Sequence, residues 1–97
     1  MKRESNEEKL EDVMKKLIRS YGLTRDYDDY QAIAAFKKVM GSVIANKAMD
    51  IQVKNKRMFV KLDSAVLREE LAMGKSKIVQ MINDEVGKPV VLDIVFV

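Results

Sequence analysis

The sequence predicts a single α+β domain in the order α-α-β-β-α-β, and three features of the chain lead to this class. Its 97 residues are enough to fill one hydrophobic core but not two. Apolar residues recur with the period of a helix in some stretches and with the period of a strand in others. Only four Gly and one Pro interrupt these patterns. We therefore expect a three-stranded sheet packed by helices.

The first helix is predicted over residues 7–21. Its apolar residues fall at helical spacing on one stripe, which comprises Leu10, Val13, Met14, Leu17, Ile18 and Tyr21. Asn6 suits the N-cap, and Gly22 follows the end. At this chain length we expect the stripe to pack into the protein's own core, with a partner or a second copy as the alternative. Residues 1–6 are expected to be flexible, which leaves residues 7–97 as the domain.

A second helix is predicted over residues 30–46, after a polar connector at residues 23–29. Asp28 or Asp29 suits its N-cap. Its buried stripe comprises Ile33, Phe36, Val39, Met40, Val43 and Ile44. Gly41 lies inside this helix and weakens it by about 1 kcal/mol relative to Ala. We therefore expect a packing reason for Gly41, such as a strand that crosses close by.

A β-hairpin is predicted over residues 49–62, where apolar and polar residues alternate. A two-residue turn at Asn55-Lys56 sets the cross-strand pairs, from 54/57 to 49/62. One face then carries the apolar pairs Val53/Met58, Ile51/Val60 and Met49/Leu62. The other face carries Gln52, Lys54, Arg57, Phe59 and Lys61. Lys56 stands where a type I′ turn favours Gly, so we expect a distorted turn.

The remaining stretch is predicted to form a long helix and a last strand. Asp63 or Ser64 suits the N-cap, and Gly87 follows the helix end near Val86. The buried stripe comprises Leu67, Leu71, Ile78, Ile82 and Val86, and the helix is expected to kink or break near Gly74. Residues 90–97 are apolar on both faces, which indicates a strand with neighbours on both sides or a cover on both faces.

The residue types present argue against catalysis. The chain has no Cys and no His, which excludes disulfides, thiol or imidazole catalysis and Cys/His zinc sites. Glu69 and Glu70 are adjacent and diverge on a helix, so they cannot flank one bond. The stretch 74–76 lacks the earlier Gly and the preceding strand of a Walker loop. We expect no enzyme activity, no cofactor and no metal.

Targeting and membrane signals are also missing from the pattern. The first residues are polar, unlike a secretory signal. The apolar runs are far shorter than the roughly 20 residues needed to cross a bilayer. We expect a cytoplasmic protein without membrane contact.

Positive charge is concentrated around the hairpin, because residues 37–62 contain seven basic residues and one acid. Basic side chains around an aromatic ring are typical of single-strand binding, in which the charges contact phosphates and the ring stacks on a base. The candidate nucleic-acid contacts are Lys54, Lys56, Arg57, Lys61 and Phe59, with Lys37, Lys38, Lys47, Lys75 and Lys77 as weaker candidates. The alternatives are a solvated surface without a partner for the charges and, for Phe59, packing under the first helix beside Val91 or Val95.

Three stretches together resemble the DciA family. They are residues 35–46, with an aromatic-x-x-Val-hydrophobic-Gly pattern at Phe36–Gly41, residues 62–71, with a Ser cap leading to Glu-Leu, and residues 82–96, where a strand follows Gly87. The order and spacing of these elements carry the resemblance. Phe36 stands where Trp is usual in the family, and Lys56 replaces the usual Gly of the turn. The Gly-x-x-Gly clamp of RNA-binding KH domains is absent, since Lys77 ends the corresponding stretch.

The resemblance implies a bacterial protein with a KH-like domain. It further implies an adaptor that binds DNA, with single-stranded DNA favoured here, and that helps load or regulate the replicative helicase DnaB. Two alternatives stay open: a protein-interaction or homodimer module without nucleic-acid binding, and an RNA- or ribosome-associated KH-like protein.

Overall fold

The computed structural model describes the backbone of residues 2–97 and the side chains of residues 9–97. Within this part of the chain, four helices and three strands follow one another in the order α-α-β-β-α-α-β. Their bounds are α1 Lys2–Ser20, α2 Thr24–Lys47, β1 Ala48–Lys54, β2 Arg57–Leu62, α3 Ala65–Met73, α4 Lys75–Val86 and β3 Asp93–Phe96. The predicted α+β class, with helices packed on a three-stranded sheet, is confirmed. The predicted flexible start covers residues 1–6. Met1 lies outside the described residues, and the backbone of residues 2–6 belongs to α1.

The junction between α1 and α2 is tighter than predicted. The amide of Leu23 donates to the carbonyl of Ile18 at 2.8 Å, and that of Gly22 donates to the carbonyl of Arg19 at 3.2 Å. These two bonds, with Gly22 at a φ of 68°, form a Schellman ending of α1. Because α2 begins at Thr24, the predicted polar connector over residues 23–29 is wrong.

The predicted caps of the first two helices are also wrong. Asp28 lies inside α2, where its Oδ1 atom pairs with Nζ of Lys88 at 2.6 Å instead of capping the helix. Asp29 is inside the same helix, and Leu23 occupies the N-cap position without a side-chain bond. Since α1 begins at Lys2, Asn6 lies within it and not before it.

Gly41 divides α2 into two helical segments. Its φ of 84° and ψ of 168° fall in a region that is essentially restricted to glycine. A Cβ atom added to Gly41 meets no atom within 4 Å, so the expected close packing contact is wrong. The sequence has a glycine here because this kink in α2 needs a backbone conformation that other residues adopt only with strain.

The hairpin register is confirmed for five of the six predicted pairs, from 54/57 to 50/61. Asn55 and Lys56 both have positive φ, 52° and 63°, as a type I′ turn requires, so their φ angles show none of the expected distortion. At the far end an irregularity pairs Ala48 with Leu62. Met49 is therefore exposed, and its predicted place on the buried face is wrong.

The predicted long helix breaks at Gly74, as expected. The hydroxyl of Ser64 accepts a hydrogen bond from the amide of Leu67 at 3.2 Å and caps α3. Gly74 separates α3 from α4. Gly87, with a φ of 89°, ends α4 in the left-handed conformation. The predicted cap at Ser64 and the predicted helix end at Gly87 are thus confirmed.

The last strand is shorter than predicted and lies at an edge of the sheet. The strand order is β1-β2-β3, and β3 runs parallel to β2 alone. Val90 and Val91 are buried in the loop before it. Asn83 of α4 holds this loop: its Oδ1 atom accepts from the amides of Val90 at 3.1 Å and Val91 at 3.0 Å, and its Nδ2 atom donates to the carbonyl of Val91 at 2.8 Å.

The core lies between the inner face of the sheet and the pair α2 and α4. Phe36 of α2 is fully buried, and its ring centroid lies 6.5 Å from that of Phe96 on β3. The large side chains that are removed from solvent are Phe36, Met58, Val60, Ile82, Val91 and Ile94. Helix α3 adds partly buried side chains, Leu67 and Leu71, to the margin of this core.

The stripe on α1 does not enter this core. Five of its side chains are between 44% and 74% exposed, namely Leu10, Val13, Met14, Leu17 and Tyr21, while Ile18 is half-buried. The molecule measures 50 × 29 × 21 Å with a radius of gyration of 15.5 Å, compared with about 12.5 Å for a compact chain of this length. The prediction that the stripe packs into the protein's own core is wrong.

Across the part of the chain that the structure describes, no helix combines the length and the apolar character that crossing a bilayer requires.

Gly41→Ala is expected to lower the free energy of unfolding by about 1–3 kcal/mol, because alanine cannot adopt the Gly41 backbone without strain. Urea denaturation followed by circular dichroism measures the change. Gly74→Ala is the matched control: its φ is −105° and an added Cβ meets only the Leu71 carbonyl at 3.9 Å. We expect this control to be neutral or slightly stabilising. Equal losses for both variants would contradict the assignment of strain to Gly41.

Asn83→Ala is expected to cost about 2–4 kcal/mol of stability, because it leaves backbone groups of Val90 and Val91 without partners in a buried loop. Thermal and urea denaturation give the loss. Asp84→Ala changes the adjacent, exposed side chain and is expected to stay within about 0.5 kcal/mol of the parent. A small effect of Asn83→Ala would mean that water replaces the three hydrogen bonds.

Candidate nucleic-acid interface

The outer face of the sheet carries the cations predicted from the hairpin. Burial of Met58, Val60 and Leu62 beneath the helices turns their neighbours on β2 to the opposite face. Three cross-strand pairs result on that face: Lys54 with Arg57, Gln52 with Phe59, and Asp50 with Lys61. β2 is the central strand, so this row of side chains lies in the middle of the sheet.

Phe59 is half-buried at the centre of this face. Its neighbour on the adjacent strand β3 is Val95, whereas Val91 is buried in the loop before β3. The guanidinium carbon of Arg57 lies 5.5 Å from the Phe59 ring centroid, within the range of a cation–π contact. The ring and the charge therefore form one unit on the surface. Of the two residues that the sequence suggested as packing neighbours of Phe59, Val95 lies beside it in the sheet.

Asp93 joins the turn between α3 and α4 to the sheet. Its Oδ2 atom lies 3.6 Å from Nε of Arg57, and its Oδ1 atom lies 3.5 Å from Nζ of Lys75. Two cations thus share one carboxylate, which leaves a net positive charge. All three side chains are at least 37% exposed, so these pairs contribute little to stability.

The tip of the hairpin is positively charged, and the segment that enters β3 holds its backbone. Lys56 is exposed at a left-handed φ. Its carbonyl accepts from the amides of Leu92 at 2.8 Å and Asp93 at 3.4 Å. Because a left-handed backbone costs a non-glycine residue about 1–2 kcal/mol, Lys56 carries local strain.

Acidic residues lie close to one side of this tip. A cavity of about 270 Å³ is lined by Arg25, Asp28, Asp29, Asn55, Lys56 and Val90. Burial raises the pKa of Asp29, and the negative charge of Asp26 raises it further. The acids belong to α2, on the inner side of the sheet, so they do not interrupt the outer row of cations.

Ion pairing leaves most of the hairpin cations available. Among the side chains of residues 9–97, no ion pair engages Lys54, Lys56 or Lys61. Arg57 is the one hairpin cation with an acidic partner there, and it shares that partner with Lys75. Three of the four hairpin cations therefore have no acid within ion-pair distance in this part of the chain, and Asp50 lies opposite Lys61 in the register.

The other predicted cations lie on the helices. Lys38 pairs with Glu85 of α4, Nζ to Oε2, at 2.9 Å. Lys37 is exposed on α2, Lys47 ends α2, and Lys77 is exposed on α4. The structure thus places Lys54, Lys56, Arg57, Lys61 and Phe59 on the hairpin, and Asp93 joins Lys75 to Arg57. The other four predicted lysines, Lys37, Lys38, Lys47 and Lys77, belong to helices. Sequence reasoning missed Asp93, since only the parallel register of β3 beside β2 reveals its position.

Comparisons with known proteins support the resemblance found in the sequence. The family model described as "Dna[CI] antecedent, DciA" matches residues 9–96, which is nearly the whole chain. No curated protein and no solved structure is significantly similar to the chain. DciA proteins are associated with the replicative helicase DnaB. The match covers both the helical layer and the hairpin, and it shows that the chain belongs to the DciA family.

Proposed function

We propose that this protein is a non-enzymatic adaptor of the replicative helicase and that the outer face of its sheet binds single-stranded DNA. The observation that carries the proposal is the outer row of Lys54, Arg57, Phe59 and Lys61, with an aromatic ring between exposed cations. Membership in the DciA family supports the adaptor role. The absence of Cys and His from the sequence supports the non-enzymatic character.

The spacing on β2 suits a nucleic-acid strand. Arg57 and Lys61 are four residues apart on the same face, about 13 Å along the strand, with Phe59 midway. Cations at both ends attract successive parts of the phosphate backbone, while the ring offers a surface on which a base can stack. No Gly-x-x-Gly clamp is present at residues 74–77, so binding is expected to be electrostatic and tolerant of sequence.

Arg57 and Lys75 offer a second point of contact. Both cations converge on Asp93 from different elements. A DNA phosphate approaching them competes with one carboxylate for two positive groups. The turn at Gly74 then adds Lys75 to the contacts made by the hairpin.

The double substitution Arg57→Glu with Lys61→Glu is expected to weaken binding of labelled single-stranded DNA at least about tenfold at low salt, because two attractive phosphate interactions become repulsive. Fluorescence anisotropy at increasing salt measures the effect. The slope of log affinity against log salt is expected to flatten by about 0.7 for each phosphate that the variant no longer neutralises.

The control for this experiment is Lys37→Glu with Lys77→Glu, which makes the same change of charge on α2 and α4. We expect the control to bind nearly as well as the parent. An equal loss of affinity in both variants would show that net charge, and not the sheet face, drives binding. Absence of binding by the parent at low salt would refute the DNA half of the proposal and favour a module that contacts proteins only. Tighter binding of RNA than of single-stranded or duplex DNA would favour an RNA-associated role.

Lys56→Gly is expected to stabilise the fold by about 0.5–1 kcal/mol and at the same time to weaken DNA binding. The glycine relieves the left-handed strain of the turn, and the substitution removes a charge from the tip. Lys56→Ala separates the two effects, because it removes the charge and keeps the strain. Urea denaturation and DNA anisotropy on both variants are the measurements. Unchanged DNA binding by both would remove Lys56 from the interface.

A further inference from the structure

The stripe on α1 leaves a row of large apolar side chains exposed outside the core. Its members Leu10, Met14, Leu17 and Tyr21 alternate in steps of four and three residues, the spacing of a helix-pairing seam. Leu23 and Tyr27, at the start of α2, extend the same exposed region. Single exposed apolar residues are common on proteins, but a continuous row of this kind marks an interaction surface.

The charges along residues 7–21, the stretch that carries the stripe, are arranged in two opposite halves. Residues 7–14 contain four acids and one base, a net charge of −3. Residues 15–21 contain three bases and no acid, a net charge of +3. Two parallel copies of this helix place like charges together, whereas two antiparallel copies place opposite charges together. In charge, this stretch is therefore complementary to itself in the antiparallel orientation only.

The apolar seam and the charge pattern share nearly the same centre. The seam runs from residue 10 to residue 21, so its midpoint lies between residues 15 and 16, and the sign of the charge changes between Asp12 and Lys15. A two-fold axis near this point pairs Leu10 with Tyr21 of a second copy and Met14 with its Leu17. A dimer with a two-fold axis requires such a self-complementary patch.

We propose that a second copy of this chain covers the α1 face, with the two α1 helices packed antiparallel. This dimer is independent of the DNA proposal, because it uses α1 and not the outer face of the sheet. A groove of about 380 Å³ between α1 and α2, lined by Leu10, Met14, Ile18 and Tyr27 with Glu11 and Lys15, lies beside the seam. It receives the exposed Tyr21 side chain of the partner copy, which stands opposite Leu10.

Sedimentation equilibrium of the full chain tests the dimer. We expect a concentration-dependent dimer. The substitution Leu10→Asp is expected to raise the dissociation constant of this dimer at least about tenfold and so to favour the monomer. Leu92→Asp is the matched control, because Leu92 is 68% exposed and Leu10 is 63% exposed, and it is expected to dimerise like the parent. Circular dichroism verifies that both variants fold. A parent that stays monomeric up to about 100 μM, a weak Kd for a specific protein pair, overturns the proposal, as does a Leu10→Asp variant that dimerises normally.

Disulfide trapping tests the orientation, and the chain has no native Cys to interfere. Leu10→Cys and Tyr21→Cys are made as separate variants, mixed and oxidised. We expect the mixture to give a crosslinked heterodimer and each variant alone to give little crosslinking. Efficient crosslinking of either variant with itself, without the mixed product, indicates a parallel pair and overturns the antiparallel arrangement.

Discussion

The alternation of β2 is the constraint on which the surface depends. Met58, Val60 and Leu62 fill the inner face beneath α2 and α4, and a strand places successive side chains on opposite faces. Arg57, Phe59 and Lys61 are therefore obliged to point outward. A shift of the hairpin register by one residue would bury the cations and expose the core, so the stability of the inner face fixes the composition of the outer face.

The sequence predicted the hairpin well because two independent signals agreed. The period of two and the length of the Asn55-Lys56 turn define the same register, and five of six pairs follow it. The helix break at Gly74 and the caps at Ser64 and Gly87 were predicted for a similar reason, since each is a local feature with a known residue preference. The same pattern predicts that Lys54, Arg57, Phe59 and Lys61 share the outer face. It does not predict that Asp93 joins Lys75 to Arg57.

The errors came from features that only the tertiary structure determines. Asp28 resembles a cap, but the Schellman turn at Gly22 starts α2 at Thr24 and assigns Asp28 to Lys88. The short β3 results from the loop that Asn83 holds, and no local pattern announces that clamp. The α1 stripe looked like a core surface because chain length suggested one compact core. The stripes of α2 and α4 and the sheet already close that core, so the α1 stripe remains outside.

The backbone at the tip of the hairpin is held by the segment that enters β3 as well as by the pairing of β1 with β2. The carbonyl of Lys56 accepts amides from Leu92 and Asp93 at the entry to β3. A hairpin end that projects freely loses conformational entropy when it settles on a ligand, at about 1–2 kcal/mol for each backbone residue that becomes fixed. Here that ordering has already taken place during folding, so the proposed DNA contact begins from a rigid, pre-organised end.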